Sequence, residues 1–299
     1  MESRSSTQNA AGGRQRQAIS AELRLWIVAQ ARAGVAPEQV LEAMKASGWQ
    51  EDVAIEALEE TLRGHLAERA RAAPPAADPR PVPVPEPAIA DSPSRIRVAG
   101  REVAVLMNLK LPRVVVFGGL LSDAECDRIV ALAEPRMARS ETVDNSTGGS
   151  EVNAARTSRG MFFERGETGV IDAVERRVAA LLGWPVQNGE GLQVLHYTPG
   201  AEYKPHYDYF DPAHPGSDSI LKRGGQRVGT LLMYLNTPEK GGGTTFPDIG
   251  LEVAPIKGNA VYFSYDRAQP ATKSLHGGAP VIEGEKWVAT KWLREREFV

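Results

Sequence analysis

The C-terminal part of the chain reads as a series of short strands, and this pattern limits the folds open to it. From residue 192 to residue 293, short apolar segments alternate with turns rich in Gly, Pro and Asp. Many short strands without long helices between them are typical of sandwiches and barrels. Two amphipathic helices precede them, one beginning near Ser122 and one over Glu167–Leu182, and we expect both to pack outside the sheets. The sequence therefore predicts an α+β fold with a double-stranded β-helix, or jelly-roll, core and flanking helices.

The chain upstream of this part divides into segments of different composition. Residues 1–18 are polar and without periodicity, which predicts a disordered tail. Residues 19–71 carry apolar residues at helical spacing, so we predict a small three-helix bundle there. Residues 72–95 contain alternating prolines, which favour extended polyproline II and indicate a semi-rigid linker. Residues 96–299 then form the large domain.

Composition narrows the class of protein. The chain has 299 residues, of which 42% are hydrophobic, so it can bury a large core. Its formal net charge of −3 gives no reason to expect a nucleic-acid or membrane partner, and no apolar run is long enough to cross a bilayer. Its one cysteine, Cys126, excludes an internal disulfide and a cysteine-based zinc site. A single thiol and the lack of an apolar leader predict a cytoplasmic protein.

One short segment has the spacing of a metal site. In the predicted strand Tyr203–Phe210, His206 and Asp208 are two residues apart, and strand side chains alternate, so both point to one face. An imidazole and a carboxylate there make two-thirds of the 2-His-1-carboxylate triad that binds non-haem Fe(II) and leaves the opposite positions open. Such a pair also arises by chance, so a second histidine is needed.

Of the five histidines, His276 is the candidate for the third ligand. The others are His206 itself, His65 in the helical segment, His196 on a strand where it faces away, and His214 in a turn-rich loop. Lys286, ten residues after His276, opens another strand. A lysine aimed into a barrel is costly unless paired with an anion, and its three donors suit the far carboxylate of a dicarboxylate. The alternatives are a structural histidine and an exposed lysine.

Several motifs together resemble those of the prolyl 4-hydroxylases. They are His206-Tyr207-Asp208, His276, Arg227-Val228-Gly229-Thr230, Gly241-Gly242-Gly243-Thr244-Thr245-Phe246 and the strand Lys286–Trp292, within residues 100–299. That family consists of dioxygenases dependent on Fe(II) and 2-oxoglutarate. The resemblance implies hydroxylation of peptidyl proline with O2, with succinate and CO2 as co-products and L-ascorbate as the reductant that restores iron. The implied enzyme class is the procollagen-proline type of 2-oxoglutarate 4-dioxygenase.

The resemblance also implies roles for individual residues of the site. The implied iron ligands are His206, Asp208 and His276. The implied partner of the far carboxylate of 2-oxoglutarate is Lys286, and Tyr197 and Thr230 match positions that hydrogen-bond that carboxylate.

Three further residues match positions that line the peptide groove, namely Arg156, Tyr203 and Trp292. In a regular strand Tyr203, three residues before His206, would face away from the metal ligands. Because proline lacks a ladder donor, we expect Pro205 to mark an irregularity that turns Tyr203 towards the site.

Other features bear on substrate and partners. The loops Asp144–Asn153 and Asp211–Gly225 match segments that close over peptide in the family. The peptide-substrate-binding domain of the animal collagen enzymes has no counterpart here, so a collagen substrate is not implied. The segment Pro37–Leu58 resembles ubiquitin-associated bundles, which implies a module for a protein partner. The alternative functions are the same cofactor chemistry on another side chain or a small molecule, and a partner-recruiting binding module.

Overall fold

The structure is a computed structural model that describes Gln17 and residues 19–32, 35–72, 80–139, 142–143, 150–151, 157–214 and 216–299. The chain divides into two compact units, Met1–Asp78 and Pro79–Val299. None of the helices in these described ranges is both long enough and apolar enough to cross a membrane.

The described part of the first unit contains the helices α1 (Ala21–Arg32), α2 (Pro37–Ala46) and α3 (Glu51–Ala72). The hydroxyl of Ser20 accepts a hydrogen bond from the Leu23 amide (3.3 Å), as an N-cap does. Pro37 occupies the first turn of α2, where its missing N–H leaves no helical bond unmade. The helices share an apolar core that contains Ile27, Val40, Met44, Ala54, Ala57 and Leu58.

The second unit contains the helices α4 (Asp123–Ala133), α5 (Gly169–Leu182) and α6 (Ser217–Leu221). Ser122 and Glu125 form a capping box at the start of α4. Thr168 caps α5, and Gly183 ends it with a φ of 59°, a conformation that a residue without Cβ adopts at little cost.

The strands of the described residues are, in chain order, β1 (Arg95–Val98), β2 (Arg101–Leu109), β3 (Arg113–Gly118), β4 (Ala138–Arg139), β5 (Thr142–Val143), β6 (Ser150–Glu151), β7 (Arg159–Phe163), β8 (Leu192–Tyr197), β9 (Tyr203–His206), β10 (Arg227–Tyr234), β11 (Lys240–Gly241), β12 (Thr244–Phe246), β13 (Leu251–Val253), β14 (Ala260–Ser264), β15 (His276–Gly278), β16 (Val281–Glu283) and β17 (Lys286–Arg294). A large sheet has the order β1-β2-β3-β14-β10-β17-β8-β7-β4, and a smaller one the order β13-β12-β15-β9. The pairing in both sheets is antiparallel. This is the mixed helix-and-strand fold with a strand-rich core that the sequence predicts.

The large sheet has two differently covered faces. One face packs on α4 and α5, in a core that includes Cys126, Val178 and Ala289. The other face shares a second apolar cluster with the small sheet. There Phe246 of β12 and Phe263 of β14 lie edge to face, with ring centres 5.3 Å apart. The predicted site residues that the structure describes lie on this second face or on the small sheet that covers it.

The segment predicted as a linker, residues 72–95, differs from the structure in its second half. Residues from Pro79 onward belong to the second unit. The Val82 amide donates to the Asp266 carbonyl (2.9 Å), and Ile89 is buried in the main core. Local proline content favours an extended chain, but it does not show that Val82 and Ile89 contact the second unit.

Candidate metal centre

Three predicted ligands meet at one end of the small sheet. His206 ends β9, His276 begins β15, and the two are direct partners in the antiparallel pair. Asp208 lies two residues beyond the end of β9. His206 Nε2 is 3.6 Å from one Asp208 oxygen, and His276 Nε2 is 3.5 Å from the other. Their ligand atoms all lie within 4.8 Å of one another, an arrangement that suits one metal ion.

Hydrogen bonds fix which nitrogen each histidine presents. Nδ1 of His206 lies 2.9 Å from the Lys204 carbonyl oxygen, and Nδ1 of His276 lies 3.0 Å from that of Ser274. A carbonyl only accepts, so each Nδ1 is the donor of its bond, and each ring presents Nε2 to the other ligands. Burial lowers the pKa of His276 to about 4, which keeps its ring neutral at physiological pH. Metal-binding histidines are usually held in this way.

Asp208 lies in a bend, whereas the sequence predicts a strand over Tyr203–Phe210. Thr230 on β10 donates a hydrogen bond to its Oδ2 (2.7 Å). Burial by itself would raise the pKa of Asp208, but the two neighbouring imidazoles and the Arg227 guanidinium hold it well below its usual range. The carboxylate is therefore ionised and suited to binding a cation.

A buried lysine lies in the pocket beside these ligands. Lys286, the first residue of β17, is 4% exposed, and its Nζ lies 5.4 and 5.8 Å from the ring centres of Tyr197 and Tyr234. Burial lowers the pKa of Lys286 to about 8. Across the residues that the structure describes, no acidic side chain forms an ion pair with it. A buried ammonium without an anion is costly, and a ligand carboxylate would offset that cost.

The pocket joins the metal ligands to the lysine and is lined by both sheets. Besides His206, Asp208, His276 and Lys286, its lining includes Leu195, Tyr197, Tyr203, Leu232, Thr244, Val288, Thr290 and Trp292. Thr290 Oγ1 and Trp292 Nε1 are buried and have no hydrogen-bond partner in the described part of the chain. Because buried polar atoms are nearly always paired, these two atoms are available for hydrogen bonds to a polar molecule in the pocket.

Thr230 has different neighbours from those predicted. The expected role is a hydrogen bond to the far carboxylate of 2-oxoglutarate, but its hydroxyl is bonded to Asp208 and Tyr265. In the sheet register Thr230 pairs with Trp292, six residues from Lys286 and thus roughly 20 Å away along β17. Strand alternation predicts which face of the sheet Thr230 lies on, but it does not predict how far Thr230 lies from Lys286 along the strand direction. The role of Thr230 towards the co-substrate stays a prediction, and the bond that the structure shows is to Asp208.

Thr244 is a pocket residue that sequence reasoning missed. It lies in the same pocket as Lys286, and its hydroxyl accepts a hydrogen bond from Tyr234 (2.8 Å). Thr244 is part of the glycine-rich motif Gly241–Phe246, which the sequence analysis uses only as evidence of the family resemblance, so its place in the site could have been considered.

Tyr203 lies beside the metal ligands because β9 is irregular. His206 pairs with His276, while Tyr203 pairs with the residue two positions further along β15, so β9 contains one extra residue. This β-bulge falls between Tyr203 and His206, an interval that contains Pro205, which lacks the N–H of a regular ladder. Tyr203 therefore stacks on His206, with ring centres 3.7 Å apart. The irregularity predicted from the proline is confirmed.

Trp292 lies in a cluster of aromatic and charged side chains at the same pocket. The Arg227 guanidinium lies 3.9 Å from the centre of its ring, and Arg227 also forms an ion pair with Glu190 (2.7 Å). Phe162 is half exposed, and its ring centre lies 6.4 Å from that of Trp292. This cluster offers a flat apolar surface next to fixed charges.

The other predicted features lie elsewhere. Arg156 and most of the loop Asp144–Asn153 are outside the described residues, so their roles stay predictions. The loop Asp211–Gly225 contains α6. His196 pairs with Glu285 and stacks on Trp287 away from the pocket.

The site defines a class of protein, the oxygenases that bind iron through two histidines and a carboxylate. The model of the 2OG-Fe(II) oxygenase superfamily matches residues 192–294. Prolyl 4-hydroxylase 5 of Arabidopsis thaliana is 41% identical over 208 residues, which cover 62% of this chain and 70% of that protein. Prolyl 4-hydroxylase 1 of the same plant is 43% identical over 204 residues, with coverage of 62% and 70%. The chain therefore belongs to the prolyl 4-hydroxylase family of 2-oxoglutarate- and Fe(II)-dependent oxygenases.

One solved structure with a related sequence is the viral collagen prolyl hydroxylase of Paramecium bursaria Chlorella virus-1 in complex with 2OG. It is 32% identical to this chain, with a TM-score of 0.46 and coverage of 60% of this chain and 95% of that one. A prolyl 4-hydroxylase of Pseudomonas putida is 18% identical, with a TM-score of 0.41 and coverage of 61% and 92%.

Proposed function

We propose that this protein is a prolyl 4-hydroxylase that uses Fe(II), 2-oxoglutarate and O2 to hydroxylate proline in a peptide or protein, with succinate and CO2 as co-products. The observation that carries the proposal is one pocket that contains both the His-Asp-His cluster and a buried lysine that forms no ion pair with any of the described residues. Membership of the prolyl 4-hydroxylase family supports proline as the reacting residue.

The residues present fit the metal. His206, Asp208 and His276 would hold Fe(II), which when bound supplies the activation of O2 for insertion into a C–H bond. Two imidazoles that each present Nε2, together with one ionised carboxylate, are the donor set that this metal takes. The protein contributes the fixed tautomers and the burial that limits access of water.

The residues also fit the co-substrate. Lys286 would pair with the far carboxylate of 2-oxoglutarate, and this ion pair would offset the cost of burying its charged amine. Tyr197 and Thr244 line the same pocket, and their hydroxyls would hydrogen-bond the same carboxylate. The unpartnered Thr290 Oγ1 would accept or donate a hydrogen bond to a bound molecule.

We assign the peptide to the aromatic side of the pocket. Tyr203 and Trp292 present flat rings on which a prolyl ring can pack, and Trp292 Nε1 would donate to the peptide backbone. Arg156 would hold the neighbouring backbone, as the family resemblance implies. The expected partner is therefore a proline-containing peptide or protein.

Several finer statements belong to the same proposal. The two antiparallel sheets support a double-stranded β-helix as the core. The reaction is of the procollagen-proline type, with L-ascorbate as reductant, and the single buried thiol supports a reducing compartment such as the cytoplasm. The helices of residues 21–72 would form an interaction module, which Leu25 and Trp26, 71% and 37% exposed on α1, support.

The test is turnover of proline-containing peptides with Fe(II), 2-oxoglutarate and ascorbate under isotopically heavy O2, followed by mass spectrometry. We expect one heavy oxygen atom on a proline and an equal amount of succinate. A heavy oxygen on another residue, or on an added small molecule, would instead support the alternative substrate. Deletion of residues 1–72 should leave turnover of short peptides unchanged if the bundle acts only in recruitment.

A further inference from the structure

Asp208 is held by a chain of hydrogen bonds to which the proposed function gives no role. Thr230 Oγ1 lies 2.7 Å from Asp208 Oδ2 and 2.9 Å from Tyr265 Oη. The exposed fraction is 5% for Asp208, 0% for Thr230 and 1% for Tyr265, so water does not compete for these bonds. The two hydroxyls belong to neighbouring strands, because Thr230 is on β10 and Tyr265 directly follows β14. The chain therefore connects Asp208 to the middle of the large sheet.

The donors in this chain have only one possible order. The hydroxyl of Thr230 has a single proton, and it donates this proton to Asp208 Oδ2. Thr230 Oγ1 can then only accept from Tyr265, whose hydroxyl must be the donor. Burial raises the pKa of Tyr265 well above its usual value, so the phenol keeps this proton. Each bond in such a directed chain polarises the next.

The backbone at Asp208 does little to fix the orientation of its side chain. The residue lies in a bend beyond the last ladder position of β9, at His206. Among the described residues, its carbonyl accepts one long hydrogen bond, from the Arg227 guanidinium (3.4 Å). A side chain on such a segment keeps one orientation only when it is itself bonded.

We propose that Thr230 and Tyr265 are positioning residues that set the orientation of Asp208 as a metal ligand. This inference rests on the metal centre of the proposed function. By engaging one carboxylate oxygen, the chain leaves the other to bind the metal and prevents both oxygens from binding together. A rotated Asp208 that bound through both oxygens would take a position that the co-substrate or O2 needs.

The test is titration of the full-length apoprotein with Co(II), monitored by the visible absorption of the bound ion, which changes with ligand number and geometry. Thr230→Val should weaken Co(II) binding by about 10- to 100-fold, the usual effect of removing a partner of a metal ligand, and should shift the absorption bands. Tyr265→Phe removes the hydroxyl that bonds Thr230 rather than Asp208, so it should weaken Co(II) binding by a smaller factor. Thr230→Ser keeps the hydroxyl and should restore both affinity and spectrum.

Tyr262→Phe is the matched control. Tyr262 is also buried on β14, but its hydroxyl is bonded to the Pro85 carbonyl, away from Asp208. This variant should bind Co(II) as the wild type does.

Three results would count against the inference. Unchanged affinity and spectrum in Thr230→Val and Tyr265→Phe would overturn the positioning role and leave the proposed function standing. Equal weakening in Tyr262→Phe would overturn it too, because general destabilisation would then explain the losses. A wild-type protein that binds no Co(II) would refute the metal centre, and the positioning role with it.

Discussion

Replacing Lys286 with methionine should stabilise the apoprotein. The lysine is 4% exposed and has no ion-pair partner among the described residues. Burial lowers its pKa from 10.5 to about 8. At 1.36 kcal/mol per pKa unit, keeping this amine charged costs at most about 3 kcal/mol. Methionine has a similar length and no charge, so Lys286→Met should raise the free energy of unfolding at pH 7 by up to that amount.

This gain should disappear as the pH rises. The folded-state pKa of Lys286 is lower than the unfolded one, so between about 8 and 10.5 the unfolded chain binds more protons. Wild-type stability therefore increases with pH through this window, while that of Lys286→Met lacks this contribution. The difference between the free energies of unfolding of the two proteins has its full size below about pH 8 and vanishes above about pH 10.5. Urea unfolding of both apoproteins on either side of this window measures it.

Lys286→Met should also weaken the binding of 2-oxoglutarate. Removing the partner of a buried carboxylate costs about 3–5 kcal/mol, or roughly two to three and a half orders of magnitude in affinity. The KM for 2-oxoglutarate in uncoupled decarboxylation, or direct binding of 2-oxoglutarate, measures the loss. Stability and co-substrate affinity thus change in opposite directions.

Lys291→Met on the same strand is the matched control. Lys291 faces α5, where it forms a buried ion pair with Glu175. Its removal leaves that carboxylate without its cation, so stability should fall by about 3–5 kcal/mol while affinity for 2-oxoglutarate is kept. If Lys286→Met instead lowered stability and left the KM for 2-oxoglutarate unchanged, the reasoning would be refuted, because Lys286 would then be a structural residue.

Three further predictions follow from the same site and core. Asp208→Ala should abolish coupled turnover and weaken metal binding, because it removes the only anionic ligand of the cluster; near-normal succinate release coupled to hydroxylation would contradict this assignment. Tyr203→Ala should raise the peptide KM and leave uncoupled 2-oxoglutarate decarboxylation nearly intact, since its ring stacks on His206 without being a ligand; loss of metal instead would make it a scaffold residue. Cys126 is fully buried and its pKa is raised to about 11, so it should react with a thiol reagent in denaturant and not in the native protein; fast native labelling would show that α4 opens.

The sequence could single out the three candidate metal ligands because their chemistry restricts the choice. Only five histidines are present, and His276 was the one left in a suitable strand. The structure brings its imidazole beside that of His206 through direct cross-strand pairing, which no local pattern reveals. The bulge between Tyr203 and His206 could be foreseen because the missing N–H of proline is a local property.

Other parts depended on tertiary structure and could not be foreseen. The side-chain period of a strand gives the face of Thr230 but not its distance from Lys286, which depends on the register of β10 against β17. Proline content predicts a linker over residues 72–95, but it does not show that residues 80–95 pack within the second unit. In both cases the deciding contact joins residues far apart in sequence.

The two ends of the site are held in different ways, and this difference governs how they should respond to substitution. β17 lies between β10 and β8 in the large sheet, so it is hydrogen-bonded at both edges. Its alternate residues Lys286 and Trp292 line the pocket, while Ala289 packs in the core with the helices. A strand fixed on both edges and both faces holds its polar groups in place before a ligand arrives. Asp208 has no such ladder, so its orientation depends on side-chain bonds such as that of Thr230. Conservative substitutions near the metal should therefore alter ligand geometry before they alter the fold, whereas those on β17 should affect both together.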